Sequence, residues 1–403
     1  MRLAIALAAI MLAPDAGSAA DRLDVAVGKA VFERLWVQAP ASTTNADGLG
    51  PLFAARSCAS CHSVGAGRAR FRLGRDDPAA HPGLVIRFGT ADGAPDPVYG
   101  AELQPKGVGD VAGEGVAAVS FAPGAGALAK PEWRVDGLGY GALGEGVAMS
   151  ARVAPSLAGL GLLEHVPVDA VLALAAEQAA GEDGVSGRPH WVGTADGRRL
   201  GRFGWKAAEP TLAAQAAAAF ALDLGLSTPA RPSPGGDCTA AQTTCRAAPA
   251  GAPEGGHEVA DPLLASLVAF LESRPQPPAP ASGPRGAAAF AKAGCGACHA
   301  PSLPLDGGGA VSAYTDLLLH DMGPGLDDGV GEGAARSAEW RTAPLWGLSR
   351  ALDAGAGLLH DARARNVDEA VRWHGGEAAA ARARYDALPE RERAALIAFV
   401  NGL

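Results

Sequence analysis

The pattern Cys-x-x-Cys-His occurs twice in this chain, as CASCH at residues 58–62 and as CGACH at residues 295–299. In this motif both thiols add to the vinyl groups of a haem, and the histidine that follows is positioned to ligate the iron. A zinc site would need four thiolate or imidazole ligands brought together, but the two units lie far apart and each carries its own histidine. A thioredoxin-like redox motif would lie in a βαβ pattern, which neither unit does. We therefore predict two covalently bound c-type haems, attached through Cys58 and Cys61 and through Cys295 and Cys298, with His62 and His299 as iron ligands.

The first residues have the layout of a secretory signal peptide. Arg2 is followed by an apolar run from Leu3 to Ala13, and small residues precede Asp21. This run is shorter than the ~20 residues that span a bilayer, and no later segment is long and apolar enough to do so. We therefore expect residues 1–20 to be removed on export, leaving a periplasmic protein with no membrane span.

Composition restricts the partners and the fold class. The chain has 43 acidic and 34 basic residues, a formal net charge of -9, which argues against nucleic acid as a partner. An acidic surface suits a small redox protein or another electron donor. Alanine-rich segments such as DAVLALAAEQAA and TLAAQAAAAFALDLG favour helices, whereas strand signals are sparse. The expected fold is mainly α, with two cytochrome-c-like haem domains and long loop-rich insertions in the first.

A proline-rich segment, ESRPQPPAPASGPRG, separates the two haem-binding units. Such a segment is typical of a linker between domains. The predicted organisation is an N-terminal c-type haem domain at residues 21–271, a linker at residues 272–285, and a C-terminal c-type cytochrome domain at residues 286–403.

Cys238 and Cys245 lie outside the haem motifs, in the polar loop GGDCTAAQTTCR. In an exported protein such a pair favours a structural disulfide that closes a small loop. A catalytic thiol pair is the alternative, and the spacing gives it no special support.

The C-terminal segments EWRTAPLWGLS, LLHDARARNVDEAVRWHGGEA and LPERERAALIAFVNGL resemble the bacterial di-haem cytochrome c peroxidases and the related enzyme that matures a tryptophan-derived quinone cofactor. YTDLLLHDMGPGLDDG and RVAPSLAGLGLLE are most similar to a branch labelled thiol oxidoreductases. The resemblance implies a haem-dependent oxidoreductase, peroxidase-like, that acts on hydrogen peroxide. A pure electron-transfer cytochrome and a thiol oxidoreductase remain the alternatives.

For the second haem, the resemblance implies a distal ligand fourteen residues after a loop histidine. Counting from His360 leads to His374, where the family usually has methionine, so His299 and His374 are the expected axial pair. Two imidazoles would give a lower potential than a His/Met pair. Met322 and His320 are the alternative ligands, and His360 is expected to support the haem edge.

For the first haem, the resemblance implies a tryptophan between the haems, a glutamine ten residues later and a pocket acid. Trp205 and Gln215 match this spacing, and Asp223 is the candidate acid because the usual glutamate position falls on Gly225. The alternative is that Trp205 is an ordinary buried side chain. The sixth position of this iron is either open for peroxide or filled by His81.

Calcium lies between the haems in the peroxidases. The asparagine of that pattern is absent near RVAPSLAG, so calcium stays an open alternative that we do not assign. The acidic, glycine-rich segment GEDGVSGRPHW at residues 181–191 is interpreted as a turn rather than a calcium site.

Overall fold

The structure is a computed structural model that describes residues 19–62, 73, 83–121, 128–277 and 283–403. The α-helices are α1 Ala19–Glu33, α2 Cys58–Cys61, α3 Leu160–Glu164, α4 Val168–Ala180, α5 Leu212–Asp223, α6 Thr243–Ala247, α7 Asp261–Glu272, α8 Pro284–Ala293, α9 Leu348–Asp353, α10 Val367–Trp373, α11 Ala379–Asp386 and α12 Glu390–Asn401. The strands are β1 Val37–Gln38, β2 Asp47–Leu49, β3 Leu52–Phe53, β4 Leu84–Gly89, β5 Lys106–Gly107, β6 Val116–Phe121, β7 Pro131–Asp136, β8 Ala148–Val153, β9 Trp191–Thr194, β10 Gly197–Leu200, β11 Leu303–Pro304, β12 Ala310–Val311, β13 Leu319–Asp321 and β14 Glu339–Arg341.

Two helices near the haem motifs begin at residues whose side chains cap them. The Thr211 hydroxyl accepts a hydrogen bond from the Ala214 amide, 3.1 Å away, at the start of α5. The Asn366 side chain accepts one from the Glu369 amide, 2.9 Å away, at the start of α10. Each cap satisfies an amide that has no partner inside the helix, so both helices begin at defined residues.

The expectation of a mainly α fold is wrong. The described residues form seven two-stranded sheets between the helices, and they show no clear cytochrome c fold around either haem motif. The antiparallel pairs β4–β8 and β6–β7 lie in the region expected to be loops. The sequences of β4, LVIRFG, and β7, PEWRVD, contain β-branched and aromatic residues. Each run is short and lies between glycine- and alanine-rich segments, so its strand pattern is weak.

The larger buried core joins both sides of the proline-rich segment. Trp36, Phe220 and Phe270 come from the N-terminal side and pack with Leu303 and Leu317 from beyond residue 286. Helix α1 lies against α7 in this core. The first haem motif is therefore held by residues from both halves of the sequence.

A second core is built from C-terminal residues. Phe290, Tyr385, Trp373 and Phe399 are its large buried side chains. Trp205 packs against it from the N-terminal half, so this tryptophan lies where the two halves meet.

No helix in the described ranges has both the length and the apolar character needed to cross a membrane.

Candidate haem sites

The two Cys-x-x-Cys-His units each fold as a short helical turn, α-helical in the first and 3-10 in the second. In the first, the His62 amide donates to the Cys58 carbonyl over 2.9 Å, and in the second the His299 amide donates to the Cys295 carbonyl over 2.9 Å. Gly294 precedes the second turn with φ +80°, and a Cβ there would lie 2.2 Å from the Arg384 guanidinium. Each turn holds the two thiols and the imidazole together at one cavity.

The imidazoles of the three predicted iron ligands are held in the same way. Nδ1 donates to a backbone carbonyl in each: His62 to Pro155 over 3.1 Å, His299 to Tyr314 over 2.9 Å, and His374 to Ala370 over 2.7 Å. Because a carbonyl only accepts, the proton is on Nδ1 and the Nε2 lone pair is left for a metal. Among the described residues, none of these Nε2 atoms makes a hydrogen bond.

The charge state of these rings also suits metal binding. Burial lowers the pKa of His299 to about 4, and it lowers the pKa of His62 and His374 as well. Neutral imidazole is the form that ligates iron. The donor set therefore fits a haem iron at each unit.

The motif thiols are not poised as thiolates. Burial raises the pKa of Cys58 and Cys61 to about 12 and that of Cys295 to about 11, with Asp223 adding to the effect at the first pair. A zinc site or a redox-active pair favours a lowered thiol pKa. The chemistry of these four sulfurs is consistent with thioether attachment instead.

The second cavity, of about 220 Å³, is lined by Cys295, Cys298, His299 and His374 together with largely apolar side chains. His374 lies at the end of α10, and its ring faces the same space as His299. Met322 also lines this cavity, so it remains an alternative ligand.

His320 is not available as a ligand. Its Nε2 lies 2.9 Å from Asp316 and its Nδ1 lies 2.8 Å from Glu377. Burial alone would lower the pKa of His320, but the hydrogen bonds with Asp316, Cys298 and Glu377 raise it to about 12. A doubly protonated ring has no lone pair for iron, so the cluster of Cys298, Asp316 and His320 is a hydrogen-bond network.

The first cavity, of about 610 Å³, is lined by Cys58, Cys61 and His62. The predicted pocket residues Gln215 and Asp223, both on α5, line it as well. His190 also faces it, but its Nδ1 donates to the Lys206 carbonyl over 2.7 Å and its Nε2 accepts from the Ala334 amide over 3.1 Å. Among the described residues, His62 is thus the cavity imidazole with a free Nε2. His81 lies outside the described residues.

Trp205 forms part of the wall of both cavities. Its indole Nε1 donates to the Val153 carbonyl over 2.9 Å. Its ring meets the His360 ring edge-on at 6.5 Å, and His360 stacks on Trp340 at 3.7 Å. His360 lines the second cavity, where it was predicted to support the haem edge.

A buried acidic cluster behind the first cavity was missed by the sequence analysis. Glu102 is completely buried and lies 3.1 Å from the Arg87 Nε. Asp237 accepts from the amides of Ala101 and Glu102 over 2.6 and 3.2 Å. Burial raises the pKa of Glu102 well above its usual range, and the Asp223 charge raises it further. No short-range pattern marks Glu102, because its partners are distant in the chain.

Cys238 and Cys245 are joined by a disulfide, with their Cα atoms 6.1 Å apart. The Cys245 side chain is 1% exposed. Such burial does not favour a thiol pair that reacts with a substrate.

A family profile described as "Di-haem oxidoreductase, putative peroxidase" matches residues 138–403. This chain belongs to that di-haem oxidoreductase family, and the family description implies haem cofactors. The resemblance noted from the sequence is confirmed at this level.

Comparison with curated proteins gives no significant match. Among solved structures, hydrazine synthase from Kuenenia stuttgartiensis is similar with 16% identity and a TM-score of 0.26. The aligned region covers 37% of this chain and 57% of that chain. At this TM-score the likeness carries no argument about fold or function.

Proposed function

We propose that this protein is an exported di-haem oxidoreductase of the peroxidase type, with hydrogen peroxide as substrate and a small redox protein as electron donor. Both haems are attached covalently, through the four motif cysteines. The first cavity is the peroxide site, and the second holds an electron-relay haem. The signal-peptide-like residues 1–20 support a periplasmic location.

One observation carries this assignment: the two cavities differ in their available imidazoles. The second has two neutral rings with free Nε2 atoms, His299 and His374, whereas the described wall of the first has His62. Two strong axial ligands are typical of an electron-transfer haem, and one is typical of a haem that leaves a side open for substrate.

The residues of the first cavity suit peroxide reduction. When bound there, haem supplies the iron redox chemistry that cleaves the O–O bond. His62 would hold the iron, Gln215 would offer an amide for hydrogen bonding, and Asp223 would offer a carboxyl that moves a proton between the peroxide oxygens. In total, one hydrogen peroxide, two electrons from the donor protein and two protons give two waters.

Trp205 is the proposed connection between the two sites. Its ring lies in the wall of both cavities, so an electron from the second haem need not cross bulk solvent. A pure electron-transfer role would use the same connection, so the test must address the first iron.

The electronic spectrum of the ferric protein tests the proposal. We expect a high-spin and a low-spin haem, with the high-spin signal changing when peroxide is added. His374→Gly should make the second haem high-spin, whereas His165→Gln, at an exposed histidine that lines neither cavity, should leave both unchanged. Two low-spin haems that do not respond to peroxide in the oxidised or half-reduced protein would contradict the proposal and favour the electron-transfer cytochrome.

Attachment and export are tested separately. We expect the denatured chain to retain two haems, and Cys58→Ala with Cys61→Ala to retain one. The N-terminus of protein recovered from a periplasmic fraction should be Asp21. Loss of all haem on denaturation would contradict covalent attachment.

A further inference from the structure

Arg341 is a buried cation without an acidic partner among the described residues. It is 7% exposed, and it lies on β14 beside Thr342. Its Nε donates to the Gly204 carbonyl over 3.0 Å and its Nη1 to the Thr342 carbonyl over 3.3 Å. In the described part of the chain, no hydrogen bond uses Nη2 and no carboxylate lies within ion-pair distance.

The environment of Arg341 leaves its charge uncompensated. Burial lowers the pKa of Arg341 to about 10, and the Asp316 charge opposes this only in part. Asp316 is already bound by His320 and Gln178. A buried charge is costly unless it is paired. An anionic group bound in the space beside Arg341 would therefore stabilise its charge.

The position of Arg341 indicates where that anion comes from. Arg341 lines both the first and the second cavity. A haem carries two propionate carboxylates, and arginine is the side chain best suited to bind carboxylates through its planar fork. An anion from either cavity can therefore reach the guanidinium.

A second arginine lies at the first cavity alone. Arg152 on β8 is 5% exposed and pairs through Nη1 with Glu332, while its Nε donates to the Ser150 hydroxyl over 3.0 Å. Its Nη2 is buried and has no hydrogen-bond partner among the described residues. Arg152 lines the first cavity and does not line the second.

We propose that Arg341 binds a propionate of each haem, as a shared counter-ion between the two sites, and that Arg152 binds a propionate of the first haem only. The inference rests on the proposed occupation of the two cavities by haem. It adds a role for two residues that hold no iron and move no proton. Because one positive charge faces both haems, both reduction potentials depend on Arg341.

Spectroelectrochemical titration of the protein with both haems attached tests this proposal. A nearby positive charge favours the reduced iron, so its removal should lower the potential. We expect Arg341→Gln to lower both potentials and Arg152→Gln to lower only that of the first haem. Arg341→Lys keeps the charge and should keep both potentials nearer to those of the wild type.

Arg202 provides a matched control. It is also a buried arginine, 7% exposed, and burial lowers its pKa. It lines neither cavity, so Arg202→Gln should leave both potentials unchanged. Unchanged potentials in Arg341→Gln, or equal shifts in the Arg202 and Arg341 variants, would overturn the proposal.

Two further readouts separate possible failures. If Arg341→Gln does not take up haem, Arg152→Gln decides the matter through its selective effect on the first haem. The propionate bands in the resonance Raman spectrum should also shift in the Arg341 and Arg152 variants. These measurements need no peroxide turnover, so the roles of Arg341 and Arg152 can be confirmed even if the protein is not a peroxidase. A chain that binds fewer than two haems would refute the proposed function itself.

Discussion

Replacing Glu332 with glutamine should destabilise the protein near neutral pH and have little effect in acid. The Glu332 carboxylate pairs with Arg152 at the wall of the first cavity. Burial raises the pKa of Glu332, but the Arg152 and Arg87 charges outweigh it and lower the pKa from 4.5 to about 2. The pair therefore stabilises the folded state whenever Glu332 is ionised.

The size of this effect follows from the pKa. A difference of about 2.5 pH units, at about 1.4 kcal/mol for each, corresponds to about 3.5 kcal/mol. The Glu332 side chain is 29% exposed, so solvent screening reduces this to about 2 kcal/mol. Because the folded pKa lies below the unfolded one, this stability is complete above about pH 4.5 and disappears as pH falls toward about 2.

Urea unfolding followed by tryptophan fluorescence measures the effect. We expect the Glu332→Gln variant to be about 2 kcal/mol less stable than the wild type at about pH 7, and the difference to close as pH falls toward about 2. Asp136→Asn is a suitable control, because Asp136 pairs with Arg134 where both side chains are more than half exposed. Equal losses for Glu332→Gln at both pH values would refute the reasoning, since only the ionised carboxylate stabilises the fold.

Three other variants have clear expected outcomes. His374→Met should raise the reduction potential of the second haem while keeping it low-spin, because thioether ligation raises potential; potentiometric titration measures this, and an unchanged potential would count against His374 as ligand. Replacing both Cys238 and Cys245 with serine should cost about 2.5 kcal/mol of unfolding free energy, from the small loop that the disulfide closes, while peroxide turnover persists; loss of turnover with an intact fold would favour the thiol oxidoreductase. The pKa of Glu102 is raised in the folded state, so the wild type should lose up to about 1.4 kcal/mol of unfolding free energy per pH unit above about pH 4.3. Glu102→Gln should remove this pH dependence. Identical pH dependence of the two proteins would contradict the prediction.

The candidate site was more predictable than the fold. The turns at the two Cys-x-x-Cys-His units are local, so their spacing in the sequence carries the geometry directly. Trp205, Gln215 and Asp223 were inferred by resemblance, and the structure brings all three to the first cavity. Their chemical roles remain predictions.

The fold class was wrong for a physical reason. Several strands are two or three residues long, such as Leu303–Pro304 and Leu319–Asp321, and such runs carry no measurable alternation. The strand Leu319–Asp321 pairs with Glu339–Arg341 further along the chain, and Arg152 pairs with Glu332, 180 residues away. Sequence patterns report short-range periodicity, so they cannot supply these contacts.

The short segment Gly204 to Lys206 links the two candidate haem sites through hydrogen bonds as well as through the Trp205 ring. The Gly204 carbonyl holds Arg341, the Trp205 carbonyl accepts from the Arg341 amide over 2.9 Å, and the Trp205 ring lies in both cavity walls. The Lys206 ammonium donates to the carbonyls of residues 336, 337 and 339 and lies 3.8 Å from the Trp340 ring. The segment thus positions Trp205, which is the proposed relay, the Arg341 guanidinium, and Trp340, which stacks on His360. A test of the electron path should therefore use Trp205→Phe. A smaller side chain would also disturb the position of Arg341, and the loss of the electron path could then not be told apart from the loss of the Arg341 charge.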